Sequence, residues 1–116
     1  MNNREQNVYT LARLGIGADT IARVNRALPA IQRAHEAECN WPESVAAPFV
    51  KAGDAAWARL CRSLSGWQHG FTVARQGDPR GACVVLTVDG VEHRLAGDGF
   101  TAAQVERIDQ LALNRF

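Results

Sequence analysis

Long apolar runs are missing from this sequence of 116 residues. No stretch approaches the roughly 18 consecutive apolar residues of a membrane-spanning helix. The first residues, MNNREQN, carry charge before any apolar stretch and offer no signal-peptide core. The expectation is therefore a cytoplasmic protein of a bacterial-type cell. A strong excess of either charge is also missing. The formal net charge is +1, which by itself implies neither a polyanion binder nor an acidic mimic of nucleic acid. Cysteine is scarce and odd in number. Cys39, Cys61 and Cys83 show no C-x-x-C spacing, so neither a disulfide framework nor a zinc knot is expected. Small buried hydrophobes is the plain reading of all three. Lysine is nearly absent, with one against twelve arginines. A GC-rich genome explains that bias as well as a need for bidentate contacts does. There is no serine elbow, phosphate-cradling loop or catalytic Cys–His signature. Gly97-Asp98-Gly99 is too short for a phosphate loop and reads as a turn. Internal repeats, low-complexity tracts and linkers are absent too.

What is present is enough hydrophobic residue, 47%, to argue against disorder and for one small domain with one core. The clearest local signal lies between Gly70 and Leu95. Asp89-Gly90 separates Val88 from Val91 and favours a type I′ hairpin, whose two central residues need positive φ. That register sets Val88 opposite Val91, Leu86 opposite His93 and Val84 opposite Leu95, with all six on one face. The other face carries Cys83, Val85, Thr87, Glu92, Arg94 and Ala96. Phe71 to Gln76 reads as a third strand, joined to Ala82 through Gly77-Asp78-Pro79-Arg80-Gly81. The result is a three-stranded antiparallel meander with Asp78 and Arg80 at one tip. Whether Phe71 and Val73 join the apolar face depends on a bulge that the sequence leaves open. A meander this small needs a layer packed on it.

Helices supply that layer. Arg4 to Leu14 predicts a short helix with Val8, Leu11 and Ala12 on one face, ended by Gly15-Ile16-Gly17. Asp19 or Thr20 can cap a longer second helix. Its stripe of Ile21, Val24, Leu28 and Ile31 continues to His35 and Glu38. Pro29 should kink or split it, and Asn40-Trp41-Pro42 closes it. Glu43 to Lys51 is expected to be a short irregular helix or a loop, because Pro48 interrupts it. Asp54 then caps a helix to Leu64 with Trp57, Leu60, Cys61 and Leu64 inward. Near the C-terminus, Thr101 and Gln104 form a capping box, and Phe100 and Val105 a hydrophobic staple. Val105, Ile108 and Leu111 or Ala112 form the buried stripe of that helix. The fold class is α+β: one domain over residues 1–116, helical over 1–66, a β-meander over 67–96 and a C-terminal helix over 100–114.

Several constellations could carry chemistry. His35 and Cys39, at i and i+4 on one helix face, are two metal ligands of an incomplete H-E-x-x-H pattern. Two ligands are not a site, and whether His69 or His93 converges on them is left open. No cofactor is expected. His93 on the apolar sheet face is either a core histidine or a general base, and the second role needs a partner acid and nucleophile. Residues 11–23 resemble the turn and recognition-helix start of bacterial helix–turn–helix repressors. Ile16 and Ile21 would pack the helix pair, and Arg23 and Arg26 would meet DNA. Leu11 departs from the small residue expected at the crossing, and an ordinary αα corner is the structural alternative.

Two pieces together look familiar. The helix end with His35, Glu38, Cys39 and Asn40, followed by strand–Gly77-Asp78-Pro79-Arg80-Gly81–strand, resembles small uncharacterised proteins of tailed phages and prophages. The resemblance covers roughly residues 20 to 96. It implies a phage accessory protein, a class that includes inhibitors of host or defence machinery such as anti-CRISPR proteins. The expected function is accordingly non-enzymatic binding of a macromolecule, a host or defence-system protein first and nucleic acid second. The candidate contact residues are Asp78, Arg80, Arg23, Arg26 and Arg33, with Trp41 or Trp67 as an aromatic anchor. The alternatives are a DNA-binding regulator using residues 11–26 and a metal-dependent enzyme around His35, Cys39 and His93.

Overall fold

A computed structural model describes residues 1–67, 70–76 and 82–113. The chain runs α1 (Asn3–Arg13), α2 (Ala18–Asn40), α3 (Glu43–Leu64), β1 (Phe71–Arg75), β2 (Ala82–Val88), β3 (Val91–Ala96) and α4 (Ala102–Leu113). The fold is α+β, with N-terminal helices, a meander in the order β1-β2-β3 and a C-terminal helix. The Gly77–Gly81 loop, with Asp78 and Arg80, lies outside the described residues.

The hairpin register is the one the Asp89-Gly90 turn dictates: Val88 pairs with Val91, Leu86 with His93 and Val84 with Leu95. Asp89 has φ 51° and Gly90 φ 80°, both positive as a type I′ turn requires. β1 pairs Phe71 with Val88 and Val73 with Leu86, so both side chains join the inner face. An extra residue, Cys83, sits between Ala82 and Val84. This bulge turns Cys83 inward, against its expected outward place, and its thiol donates to the Leu28 carbonyl at 3.9 Å. Val91 is the opposite correction. At the hairpin tip it is 56% exposed, beyond the reach of the helices.

α1 ends in a Schellman turn. Gly15 at φ 82° lets its N–H bond to Ala12 and that of Ile16 to Leu11, while Ile16 packs on Leu11. Asn2 caps its start by accepting the Glu5 N–H at 2.8 Å. Its inward residues are Asn7 and Leu11 rather than Val8, Leu11 and Ala12. The polar Asn7 is buried because its carboxamide donates to the Ala96 carbonyl at 2.8 Å and accepts the Ala96 N–H at 3.2 Å. Neither Asp19 nor Thr20 caps α2. Gly17 holds that position without a side-chain bond, and Asp19 sits in the first turn, where its charge suits the helix dipole.

α3 corrects the expected break at Pro48. It runs unbroken from Glu43, with Pro42 at its N-cap position and Asp54 in mid-helix. Pro48 removes only one backbone hydrogen bond, near the helix start. Burial around it outweighs that loss: Val45 and Ala46 pack with Ala37, Trp41 and Ala112, and Phe49 and Phe100 cover them. α2 likewise runs through Pro29. The two long helices form a hairpin and pack tightly at Gly53, where an added Cβ would overlap that of Ala34.

The hairpin organises two cores. At one end Leu28, Ile31, Leu60 and Leu64 pack with Leu86 and Leu95 of the sheet and Leu11 of α1. At the other end α4 closes the Trp41–Phe49–Phe100 ring cluster. The capping box of α4 forms in both directions: Thr101 N–H to Gln104 at 2.9 Å and Gln104 N–H to Thr101 at 3.2 Å. The expected staple does not bury Val105, which is 36% exposed, and Leu111 is exposed as well. Ile108 and Ala112 carry the contact instead, because Phe100 turns toward Phe49. Among the described residues no helix is long and apolar enough to cross a membrane.

Candidate functional site

The face of the hairpin turned away from the sheet is built by helical periodicity. In α2 the residues Leu28 and Ile31 point to the sheet, while Arg23, Arg26, Ala30 and Arg33 recur at steps of three and four on the opposite flank. In α3 the matching flank carries Phe49, Ala52, Arg59, Arg62 and Ser63. The helices are antiparallel, so the start of α2 lies beside the end of α3. Arg23, Arg26, Arg59 and Arg62 therefore share one groove of about 600 Å³, floored by Ala27 and Ser63.

All four arginines are exposed. Among the described residues none of them has a carboxylate partner; ion pairs form instead between Arg75 and Asp54 at 2.7 Å and between Arg94 and Glu92 at 3.9 Å. The groove contributes +4 to a formal net charge of +1, leaving −3 for the rest of the chain. Whole-chain charge hides this segregation. Arg23 and Arg26 were legible as candidates from sequence. Arg59 and Arg62 were not, because only the folded hairpin brings them across from α2.

Beyond Arg26 the same flank continues to a second hollow of about 250 Å³ between α2, α3 and α4. Its floor is apolar and aromatic, from Ala30, Phe49, Phe100 and Ile108. Arg33, Gln104 and Arg107 supply its polar groups, and among the described residues no acidic one lines it. Arg33, a sequence candidate, is thus half-buried at a pocket wall.

The other candidates separate from this face. Trp41 is buried in the ring cluster, and its indole N–H donates to Asp109 at 2.6 Å, while one edge lines a separate hollow with Glu38, Glu43 and Lys51. Trp67 is half-buried, edge-on to Phe71 at 5.1 Å. His35 and Cys39 do share a helix face, but they contact each other, with Nε2 3.7 Å from Sγ. His93 lies opposite Leu86 and is half-buried. His69 falls outside the described residues. Among the described residues no group of three or more His, Cys, Asp or Glu side chains is placed to hold a metal ion. Burial pushes the Cys61 thiol up, and raises that of Cys83 to about 11 against the weaker pull of backbone hydrogen bonds and Arg75. Both stay protonated near neutrality and make poor nucleophiles.

The helix–turn–helix segment has the expected packing, with Leu11, Ile16 and Ile21 buried together. Its arginines, however, line a surface shared with α3, so α2 does not project as a free recognition helix. Comparisons with protein-family models, curated proteins and solved structures find no match to this chain.

Proposed function

We propose that this chain is a non-enzymatic phage or prophage accessory protein that binds a densely anionic component of host or defence machinery and so acts as a counter-defence inhibitor. The resemblance around Gly77–Gly81 supplies the context. The arginine groove supplies the means, and it is the single observation that carries the reading. Four guanidinium groups gathered with no carboxylate among the described residues repel one another. A bound anion relieves that repulsion, and the planar forks of arginine suit phosphate or carboxylate oxygens. The test is capture from a lysogenic host. Wild-type protein should retain a stoichiometric partner that elutes with salt and is missing when Arg23, Arg26, Arg59 and Arg62 are all glutamine. A bait that retains nothing, or retains the same partner without the arginines, removes the proposal.

A second reading, a regulator of duplex DNA, is favoured by the tight α1–Gly15–α2 corner with Arg23 and Arg26 exposed beyond it. It requires sequence-selective duplex binding that Arg23→Ala and Arg26→Ala abolish while Arg59→Ala leaves intact. The shared groove argues for equal loss in all three.

A further inference from the structure

We infer that the trough along α2 and α3 is a site for single-stranded nucleic acid, its phosphates on Arg23, Arg26, Arg59 and Arg62 and one base in the pocket beneath α4. This rests on the anion-binding reading above and names its ligand class. Two differently built halves carry the inference. Among the described residues the groove half is lined by guanidinium groups, one hydroxyl and one methyl, with no aromatic ring. It grips charge and offers nothing for a base to stack on. The pocket half is the reverse, with Phe49 and Phe100 beside Ile108 and two arginines at its walls. A planar, polar-edged ring fits such a place: its faces take apolar, aromatic and guanidinium contacts, and its edge takes Gln104 and the arginine N–H groups.

The halves follow one another along α2. Arg23, Arg26, Ala30 and Arg33 follow one flank of α2, and ten residues from Arg23 to Arg33 span about 15 Å of helix. A few nucleotides of extended strand cover that length. A track of phosphate contacts leading to an aromatic base pocket is how sequence-tolerant single-strand binding is physically achieved. A duplex must first unpair and unstack a base before one can enter a hollow of about 250 Å³ between three helices, a cost the single strand does not bear. An acidic peptide would satisfy the arginines, but its rings follow its charges at no regular repeat, unlike the bases and phosphates of a nucleic acid.

The full-length chain should be titrated against a fluorescein-labelled 15-nucleotide dT strand, a duplex of the same length and inorganic polyphosphate. The expected result is preference for the single strand over both. With four phosphates neutralised, the single-strand salt slope is near −3, so affinity falls about 50-fold from 50 to 200 mM salt. Arg26→Gln with Arg62→Gln should cost at least tenfold on every anionic probe. Arg107→Gln, on the exposed side of α4, should weaken the single strand more than it weakens polyphosphate. Circular dichroism of each variant checks that it is folded. Equal binding of duplex or polyphosphate, or an unchanged single-strand affinity in the arginine variants, overturns the inference. Should no oligonucleotide bind while an acidic host protein is captured through the same arginines, this inference falls and the broader reading stands. If neither binds, both fall.

Discussion

Gly53 sits in the middle of α3, where glycine ordinarily costs a helix close to 1 kcal/mol against alanine. A reading of helix propensity alone would have Gly53→Ala stabilise the protein. The hairpin reverses that sign, because the new methyl would overlap Ala34 and press on the Ala30 carbonyl. Overpacking of this kind costs about 1–3 kcal/mol, so urea unfolding should show a net loss of stability. Cys83 makes a second residue-level case. Its thiol is raised from 9.0 to about 11 by burial. The fold favours the neutral form, so its contribution is whole below pH 9, where both states hold the proton. It is lost as pH climbs through the folded value, because the unfolded chain ionises first. The stability difference between wild type and Cys83→Ala should therefore stay flat to about pH 9 and shrink toward pH 11. A difference that shrinks between pH 6 and 8 instead would contradict this burial.

Among the elements, α4 is the one held at separate points. Trp41 donates to Asp109, the Phe100 N–H donates to Glu36 at 2.8 Å, and Ile108 and Ala112 supply the apolar contact. Leu111 and Leu113 remain outside. Asp109→Leu leaves the indole N–H without its acceptor, a loss of about 1–3 kcal/mol if it stays buried. Hydrogen exchange should then quicken in α4 and leave the amides of the central α2–α3 hairpin slow; uniform quickening would mean that α4 is integral to a single cooperative unit. The elements also show where sequence suffices. The meander was legible because its turn and its alternation are local: Asp89-Gly90 sets the register that Val84, Leu86 and Val88 then obey. α3 was not. Pro48 is a local stop signal, and what overrides it is the cover supplied by Phe100 and Ala112, remote in sequence. The inward Asn7 was missed for the same reason, since its partner Ala96 lies 89 residues away. Half of the arginine groove was hidden likewise, because each i,i+3 pair alone reads as an ordinary solvated helix face.

For the molecule as a whole, the distribution of charge matters more than its total. A surface selected only for stability would intersperse acids among the arginines of the α2–α3 groove. Arg26→Glu should accordingly relieve repulsion from Arg23, Arg59 and Arg62. At low salt the gain is about 0.5 kcal/mol, or about 2 °C in Tm for a chain of this size. The gain should fade as salt screens the charges. A binding site kept at the expense of stability behaves in this way, whereas arginines placed for structural reasons would make the same variant less stable.

The two-way clasp of Asn7 on Ala96 has one more outcome. A carboxamide that both gives and takes a hydrogen bond imitates the main chain of an adjoining strand, so the rim of the sheet is occupied there by a side chain. No foreign segment can zip on at that margin without first evicting it. Exchange of Asn7 for leucine would keep the bulk and strip the mimicry, turning a sealed border into a sticky one, visible as self-association on concentration.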